Sequence, residues 1–510
     1  MKQLSRRQFL TGLAATPIVV LAGCGDGENE RSRASTLRQL PIPPIAESTV
    51  DANGTRHFHL VAAAGAAELI SGTTTATWGY NGSILGPTLR ARRDETVAFT
   101  VENSLPEPTT VHWHGMHVPA RFDGGPHQTI DPGEKWEPTW TIDQPSATLW
   151  YHPHPHGSSE KHVYRGLAGV FIIDDDVSDS LELPGDYGVD DVPLIIQDRR
   201  FEEDGSLDES DSTNIGLLGD TIVTNGVAGA FLPVVTESIR LRILNGSSGR
   251  LYNLGFDDYR EFQLVATDGG LLREPISLSR IQISPGERVE MIVRIDSGTD
   301  SILRSFPIDN HDNVDWESTD TFGFADTFDI LELRGRQQLK ASSELPTVLS
   351  VLPKLDSGSA AATREFELQW FMINGQRMDM NRIHFTSIVD TTEVWTVTNV
   401  DNWPHNFHVH DAQFQIVDIN GTPPPPELDG WKDTVYTPPG QQLRLALRFS
   451  RYTDPTAPYM YHCHMLMHED QGMMGQFVVV EPGAQAAQTI SSSADISDME
   501  SMPNFEGIHH

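Results

Sequence analysis

Cysteine and lysine are scarce in this chain of 510 residues, which contains two cysteines, Cys24 and Cys463, and six lysines. Two cysteines allow at most one disulfide bond. Basic residues number 36 against 71 acidic ones, so the formal net charge is −35. A surface this acidic repels nucleic-acid phosphates, which argues against a nucleic-acid partner, and it attracts cations, including metal ions.

Long amphipathic helical periods are also missing, which argues against a helical fold. Hydrophobic residues make up 38% of the chain and charged residues 21%. That balance is typical of a soluble globular protein, and the length suggests about three domains.

The N-terminus predicts an export signal. Residues 5–10 read SRRQFL, a twin-arginine motif, and a short apolar stretch over 13–22, interrupted by Pro17, follows. Residues 21–24 read LAGC and resemble a lipobox, in which the thiol of Cys24 takes a lipid; the alternative is an ordinary signal with an incidental cysteine. We expect a signal over 1–24, a tether over 25–40, and export by the twin-arginine machinery to a periplasmic or cell-surface location with a lipid anchor at Cys24.

Three segments repeat one pattern of turns and strands. Each has an Asn-Gly pair, an alternating strand that ends at asparagine, and a later Pro-Gly turn; the strands end at Asn103, Asn245 and Asn399. The pattern predicts an all-β chain of three related β-sandwich domains. Their expected limits are 40–180, 188–336 and 360–485, with a connector over 337–363 and a flexible tail over 486–510.

Histidines are clustered in the first and third predicted domains. Residues i and i+2 of a strand project to one face about 6.6 Å apart, so a His-x-His pair on a strand can present two imidazoles to one metal cluster. A single pair is usually a surface feature, but the histidine clusters of this chain supply four candidate pairs: His112/His114, His152/His154, His408/His410 and His462/His464. Because two pairs come from each outer domain, we expect the metal cluster between domains one and three.

Cys463 lies between two of these histidines, so its side chain should point to the opposite face. With His405, His468 and Met473 it supplies two imidazoles, a thiolate and a weak axial thioether, the ligand set of a blue copper. Zinc would suit some of these ligands but has no redox role. We interpret His117, His127, His156 and His162 as neighbours of the ligands or surface residues. His311 is the lone histidine of the middle domain, and His509 and His510 belong to the tail.

These motifs resemble the multicopper oxidases, most closely the three-domain bacterial group of laccases, copper-efflux oxidases and bilirubin-oxidase-like enzymes. The resemblance implies three cupredoxin-like Greek-key domains and four coppers per chain. It implies a type 1 copper at His405, Cys463, His468 and Met473, and a type 2 copper at His112 and His408. The implied type 3 pair has the ligands His114, His152, His154, His410, His462 and His464.

Three carboxylates match further positions of the family. Glu469 and Asp123 lie where the family delivers protons for the reduction of O₂ to water, and Asp401 lies near the type 1 histidine. For any single acid in so acidic a chain, the alternative is a solvated loop residue.

Departures from the copper-efflux oxidases bear on the substrate. The connector lacks the methionine-rich insertion of that group, and Trp403 replaces its methionine near the first third-domain ligand. Soft thioethers select Cu(I), so their loss favours a laccase-like oxidase of phenols or similar donors, with O₂ as the acceptor. The alternatives are an oxidase of Cu(I), Fe(II) or Mn(II), and a non-enzymatic copper carrier or degenerate scaffold. Asn406 replaces the family's usual proline, and we expect a monomer.

Overall fold

The computed structural model describes residues 37–490, apart from 211, 212, 214, 309–313, 315–318 and 320. The predicted signal, Cys24, most of the tether, His311, and the last twenty residues with His509 and His510 lie outside the described residues.

The described residues form 33 strands and three short helices, so the all-β prediction is confirmed. The strands up to residue 174 are β1 Arg38–Gln39, β2 Ser48–Val50, β3 Arg56–Ala67, β4 Thr75–Tyr80, β5 Leu89–Arg92, β6 Thr96–Ser104, β7 His112–His114, β8 Lys135–Trp136, β9 Thr139–Thr141, β10 Ala147–His152 and β11 Gly169–Asp174. The next group is β12 Asp191–Arg199, β13 Thr221–Thr224, β14 Val227–Ala228, β15 Ala230–Thr236, β16 Ser238–Asn245, β17 Tyr252–Phe256, β18 Phe262–Thr267, β19 Gly270–Leu278, β20 Ile281–Ile283, β21 Arg288–Arg294, β22 Asp300–Phe306 and β23 Phe328–Lys340.

The last group is β24 Ala362–Gln369, β25 Met372–Ile373, β26 Phe385–Ile388, β27 Thr392–Asn399, β28 His405–Val409, β29 Phe414–Ile419, β30 Thr434–Thr437, β31 Gln442–Arg448, β32 Tyr459–His462 and β33 Met474–Val480. The helices are α1 Ser159–Tyr164, α2 Asp176–Ser180 and α3 Leu466–Asp470. None of the helices in the described part of the chain has the length and apolar character needed to cross a membrane.

Six sheets pack as three sandwiches. The first pairs the sheet around β3 and β6 with β5-β11-β10-β7, and the second pairs β14-β13-β12-β16-β21-β18-β19 with β1-β15-β23-β22-β17-β20. The third pairs β25-β24-β27-β31-β29 with β26-β33-β32-β28-β30. Each pair encloses an apolar core, as expected for sheets that are hydrophobic on one face.

The predicted segment limits shift at three places. Arg38–Gln39, at the end of the predicted tether, pairs in parallel with β15 and so belongs to the second sandwich. Strand β23 continues through Lys340, so the irregular connector is shorter than 337–363. At the start of the predicted tail, Ile490 donates a backbone hydrogen bond to Asn381 of the third sandwich. In each case backbone groups that the composition left unassigned find hydrogen-bond partners on a neighbouring strand or turn.

The asparagines of the repeat perform the same task in each sandwich. Asn245 and Asn399 end β16 and β27, and Asn103 is the last residue but one of β6. Each accepts a hydrogen bond on Oδ1 from the backbone N–H two residues later. Each also donates from Nδ2 to a backbone carbonyl across the sheet, at residues 130, 283 and 437. The repeated use of one side chain to close the same turn supports a common ancestor for the three sandwiches.

Candidate metal centres

The strand register brings the four histidine pairs together. In the first sandwich β10 pairs antiparallel with β7, so that His152 lies opposite His112. In the third, β32 pairs antiparallel with β28, so that His408 lies opposite His462.

Only one of the pairs lies within a strand as predicted. His112 and His114 are both in β7, whereas His154, His410 and His464 lie one or two residues beyond the ends of their strands. The ladders stop where the two sandwiches meet, because a continued strand would fill the space that the imidazoles occupy. The side chains still face the same way, and the rings of His408 and His410 are 5.0 Å apart.

The eight imidazoles meet between the first and third sandwiches, at the expected place. The rings of His112 and His410 stack with their centroids 3.8 Å apart, and those of His114 and His408 also lie 3.8 Å apart. All eight side chains are buried. Their close packing in an interior without solvent is costly unless a bound ion uses their nitrogens.

Backbone carbonyls fix the tautomers of His112 and His408. The Nδ1–H of His112 donates to the carbonyl of Asp123 at 2.8 Å, and that of His408 donates to the carbonyl of Asp433 at 2.9 Å. A carbonyl only accepts, so each Nε2 carries a lone pair. Both Nε2 atoms are buried and have no hydrogen-bond partner among the described residues, as expected for the ligands of one ion.

A second set of nitrogens comes from His154, His410 and His462. Nε2 of His462 lies 3.2 Å from Nε2 of His154 and 3.1 Å from Nε2 of His410. Such separations fit ligands of a single ion with metal–nitrogen bonds of about 2 Å. A third set comes from His114, His152 and His464. Nε2 of His114 donates to Asp433 Oδ1 at 2.9 Å, so the buried Nδ1 of this ring is without a partner among the described residues.

The imidazoles are held in the neutral form that binds metals. Burial, reinforced by neighbouring imidazoles, lowers the pKa of His114, His154 and His462 well below 6.5. Burial also lowers the pKa of His410 to about 4 and that of His464 to about 3. Neutral imidazole is the ligand form of histidine, so the cluster is ready for metal at neutral pH.

Cys463 points away from its histidine neighbours into a separate site. Its Sγ lies 3.5 Å from Nδ1 of His468 and 3.8 Å from Nδ1 of His405, and the two nitrogens are 3.1 Å apart. Burial raises the pKa of the Cys463 thiol to about 12, so a thiolate requires a cation beside it. The predicted separation of the two sites across one tripeptide is therefore present in the structure.

Met473 and Asp401 adjoin this second site. The N–H of Cys463 donates to the carbonyl of Met473 at 3.1 Å, and the Met473 side chain is buried in the same apolar core as Cys463. Oδ2 of Asp401 lies 3.4 Å from Nε2 of His405. That contact places the ring proton of His405 on Nε2 and leaves Nδ1 free for a metal.

The two predicted proton-delivery acids flank the same three-histidine set. Oδ2 of Asp123 lies 2.7 Å from Nδ1 of His410, and Oε1 of Glu469 lies 3.1 Å from Nδ1 of His154. Burial alone would raise the pKa of Asp123, but His410 and His112 hold it below its usual value. Burial and the neighbouring Asp470 raise the pKa of Glu469 well above 4.5. Asp123 is therefore ionised at neutral pH, whereas the environment of Glu469 favours its protonated form.

Several residues of the site were missed by the sequence reasoning. Asp433 contacts His114, and Arg288 of the second sandwich pairs with Asp433. Asn406, which replaces the family's usual proline, accepts from the N–H of His464 at 2.5 Å and donates to the carbonyl of Pro285 at 2.9 Å. It therefore links the third sandwich to the second. Ser159 donates to Glu469 at 2.5 Å. No local motif marks these residues, because each acts through a partner distant in sequence.

The histidines outside the pairs have other partners. His117 contacts Asp143, His127 contacts Gln476, and His162 contacts Glu107 and Thr109. His156 is partly buried. None of these contacts joins a predicted metal ligand, and His162 is buried, so it is not a surface residue.

Comparison with known proteins identifies the family. Multicopper oxidase family models match residues 62–178 and 345–483. The multicopper oxidase mco of Staphylococcus haemolyticus is 36% identical over 458 residues, which cover 89% of this chain and 95% of that protein. This chain belongs to the multicopper oxidase family. The multicopper oxidases are oxidoreductases that use O₂ and reducing substrates, and the family implies copper at the histidine clusters.

Two further relatives show the range of the family. The crystal structure of a laccase from Pediococcus acidilactici aligns with a TM-score of 0.80 and 34% identity, covering 87% of this chain and 94% of that one. The match confirms the cupredoxin-like fold of this multicopper oxidase. The cell division protein FtsP of Escherichia coli is 34% identical over 484 residues, which cover 93% of this chain and 99% of that protein.

Proposed function

We propose that this multicopper oxidase is a laccase-like enzyme with four coppers per chain. One copper would be held by His405, Cys463 and His468, with Met473 as the axial ligand. The eight paired histidines would hold the other three, with His112 and His408 on the type 2 ion. Bound copper supplies one-electron redox chemistry, which allows single-electron oxidation of phenols to be coupled to the four-electron reduction of O₂ to water.

The observation that carries this proposal is which ring nitrogens of the paired histidines have hydrogen-bond partners and which do not. Nδ1–H of His112 and His408 donates to a carbonyl, and Nε2–H of His114 donates to a carboxylate, so that the other nitrogen of each ring is buried without a hydrogen-bond partner among the described residues. A degenerate scaffold would have no need for these outer partners. A simple electron carrier would need the Cys463 site but not the eight histidines.

The carboxyl groups of Asp123 and Glu469, beside the histidine cluster, have different roles. Asp123 is ionised, accepts from His410 and so orients that ring. Burial favours the protonated form of Glu469, and its carboxyl group lies beside His154 and His462, where reduced oxygen requires protons. Ser159 donates to Oε1 of Glu469 and orients the carboxyl group.

The surroundings of the Cys463 site favour an organic donor. Trp403 is partly buried and its ring lies 6.3 Å from that of His468, while Phe371 lies 5.3 Å away on the same imidazole. Aromatic rings at the edge of a ligand offer stacking contacts to phenols.

A second candidate is the oxidation of Cu(I), Fe(II) or Mn(II). The observation that favours it is a cluster of methionines, with Met378, Met460 and Met474 buried and Met380 partly buried against them. Thioethers select Cu(I), and the net charge of −35 attracts cations.

Side-by-side kinetics on copper-loaded protein test the proposal. We expect about four coppers per chain, a blue colour that is lost in Cys463→Ser, and a higher kcat/KM for 2,6-dimethoxyphenol than for Cu(I). Turnover of Cu(I) alone would favour the metal oxidase. A wild-type protein that binds no copper would favour a non-enzymatic scaffold.

For localisation we propose export in folded form by the twin-arginine machinery and a lipid anchor at Cys24, with the protein monomeric in the periplasm or at the cell surface. The support is the sequence of the first 24 residues. Cys24→Ser should release active enzyme from washed membranes, whereas equal retention of the variant would contradict the lipid anchor.

A further inference from the structure

Trp370 has a backbone conformation that a bulky residue rarely adopts. Its φ is +55°, and it is the first of two residues that join β24 to β25, paired through Gln369 and Met372. Tight hairpins of this kind usually place glycine or asparagine where φ is positive. Despite its size, the side chain is 53% exposed. A strained, exposed tryptophan indicates that the position has a use beyond packing.

Asp401 connects this turn to the Cys463 site. Its Oδ2 accepts a short hydrogen bond from the N–H of Trp370, and the same oxygen lies 3.4 Å from Nε2 of His405. The carboxylate therefore fixes the strained turn relative to a copper-site imidazole.

The indole of Trp370 begins a stack that ends at the second imidazole. The rings of Trp370 and Trp403 are 5.9 Å apart at an angle of 18°, and Trp403 lies 6.3 Å from His468 at 29°. Arg377 lies beside this group, with its guanidinium 5.7 Å from the ring of Phe371. The outer end of the stack is thus an exposed indole, and a cationic side chain lies beside the next residue, Phe371.

We propose that Trp370 is a docking site for planar aromatic donors, which stack on its exposed indole as the next ring of the series. The inference rests on the proposed function, since it gives the substrate class of the same copper site. A planar phenol gains stacking contacts and, when it carries an anionic group, attraction to Arg377. A small metal ion or ferrocyanide gains no stacking, so the site should discriminate by shape and aromaticity.

Trp370→Gly is the most informative variant, because glycine lacks the indole and adopts a positive φ without strain. Trp370→Phe keeps an aromatic face. Tyr259→Gly is a matched control: Tyr259 is also exposed, at 68%, and has a φ of +61°, but lies in the second sandwich. Equal blue absorbance and copper content in all variants would show that the copper site is intact.

Binding is measured on the copper-loaded enzyme with 4-nitrobenzyl alcohol, an electron-poor aromatic without a phenolic group, by quenching of tryptophan emission and by competition dialysis. We expect Trp370→Gly to raise its Kd, and the KM for 2,6-dimethoxyphenol, about three- to tenfold. Trp370→Phe should restore most of the affinity, while kinetics with ferrocyanide and the behaviour of Tyr259→Gly should match wild type.

An unchanged Kd and KM in Trp370→Gly would overturn the docking site, and so would an equal loss with ferrocyanide. If the wild-type enzyme oxidised no phenol, the proposed function would fail, yet the dialysis Kd of 4-nitrobenzyl alcohol would still decide whether Trp370 binds aromatic rings.

Discussion

Arg288 of the second sandwich and Asp433 of the third form a fully buried ion pair, with Nη2 2.6 Å from Oδ2. Nε of Arg288 also donates to the carbonyl of Thr148 in the first sandwich, at 3.1 Å. The other oxygen of Asp433 accepts from Nε2 of His114. The second sandwich, for which no copper ligand is predicted, therefore holds the first and third sandwiches in register and helps to orient His114.

Removing one partner of this pair should be costly. Arg288→Met leaves Asp433 and Asp268 buried with one cation fewer, although Lys432 remains 2.9 Å from Asp268. We expect a loss of about 3–5 kcal/mol in the free energy of unfolding, measured with urea. The double variant with Asp433→Asn should lose less than the sum of the single losses. Strict additivity would mean that the pair does not couple the sandwiches.

Met473 and Met474 offer a matched pair of substitutions. Met473 shares the core of Cys463, whereas Met474 packs in the methionine cluster. Met473→Leu should raise the reduction potential of the blue copper, because a weak axial thioether is lost. Met474→Leu should leave the potential near that of wild type. A titration with the reverse pattern would reassign the axial ligand.

The histidine pairs could be predicted from sequence because their chemistry depends on local spacing. Alternation along His462, Cys463 and His464 predicts two sites on opposite sides of the chain, and the structure keeps this arrangement although β32 ends at His462. The outer partners have no such local rule: His114 and Asp433 are 319 residues apart, and Arg288 and Asp433 are 145 apart. With 71 acidic residues in the chain, nothing in the sequence distinguishes Asp433 from a solvated carboxylate.

The three sandwiches could also be predicted from the sequence, but one of their strand pairings could not. Asn103, Asn245 and Asn399 marked equivalent strand ends, so the three sandwiches followed from the repeat. The pairing of Arg38–Gln39 with β15 could not be predicted, since two residues show no periodicity and their partner strand begins at Ala230.

His117 should make stability depend on pH. Burial alone would lower its pKa, but Asp411 and Asp143 raise it to about 9, and its Nε2–H donates to the carbonyl of Ser450 in the third sandwich. Since the folded pKa exceeds the unfolded value of about 6.5, the stabilisation is complete below that pH and is lost as pH rises towards 9.

The measurement is the melting temperature of wild type and His117→Gln from pH 6 to 9.5. The facing charged groups are Asp411, Asp143 and Arg451, which itself pairs with Asp143 at 3.1 Å. We expect the advantage of wild type to shrink by an amount on the order of 1–3 kcal/mol across this range. An advantage that stays constant would mean that His117 is neutral throughout.

Glu469 provides the most informative test of the proton path. Its carboxyl lies between two rings of one three-histidine set, with Oε1 3.1 Å from Nδ1 of His154 and Oε2 3.3 Å from Nδ1 of His462. Glu469→Gln keeps the shape and the acceptor for Ser159 but cannot release a proton. Anaerobic bleaching of the blue colour by a phenol should stay near wild-type speed, because electron entry occurs at the Cys463 site. Reoxidation by O₂ should slow by about 10²-fold or more, the usual contribution of a positioned proton donor.

Asp470→Asn is the matched control for that experiment, measured by stopped-flow absorbance in both half-reactions. Asp470 is the adjacent acid and is partly buried, but its two carboxylate oxygens accept from the backbone N–H groups of Ser159 and Glu160 at 2.8 and 3.0 Å, and asparagine keeps one of these two acceptors in its amide oxygen. We expect its reoxidation rate to remain within a few-fold of wild type. Loss of copper in Glu469→Gln would instead make Glu469 a support for His154 and His462. Two unchanged half-reactions would make Glu469 a bystander and leave Asp123, whose carboxylate lies 2.7 Å from Nδ1 of His410 on the other side of the same set, as the next residue to test in the proton path.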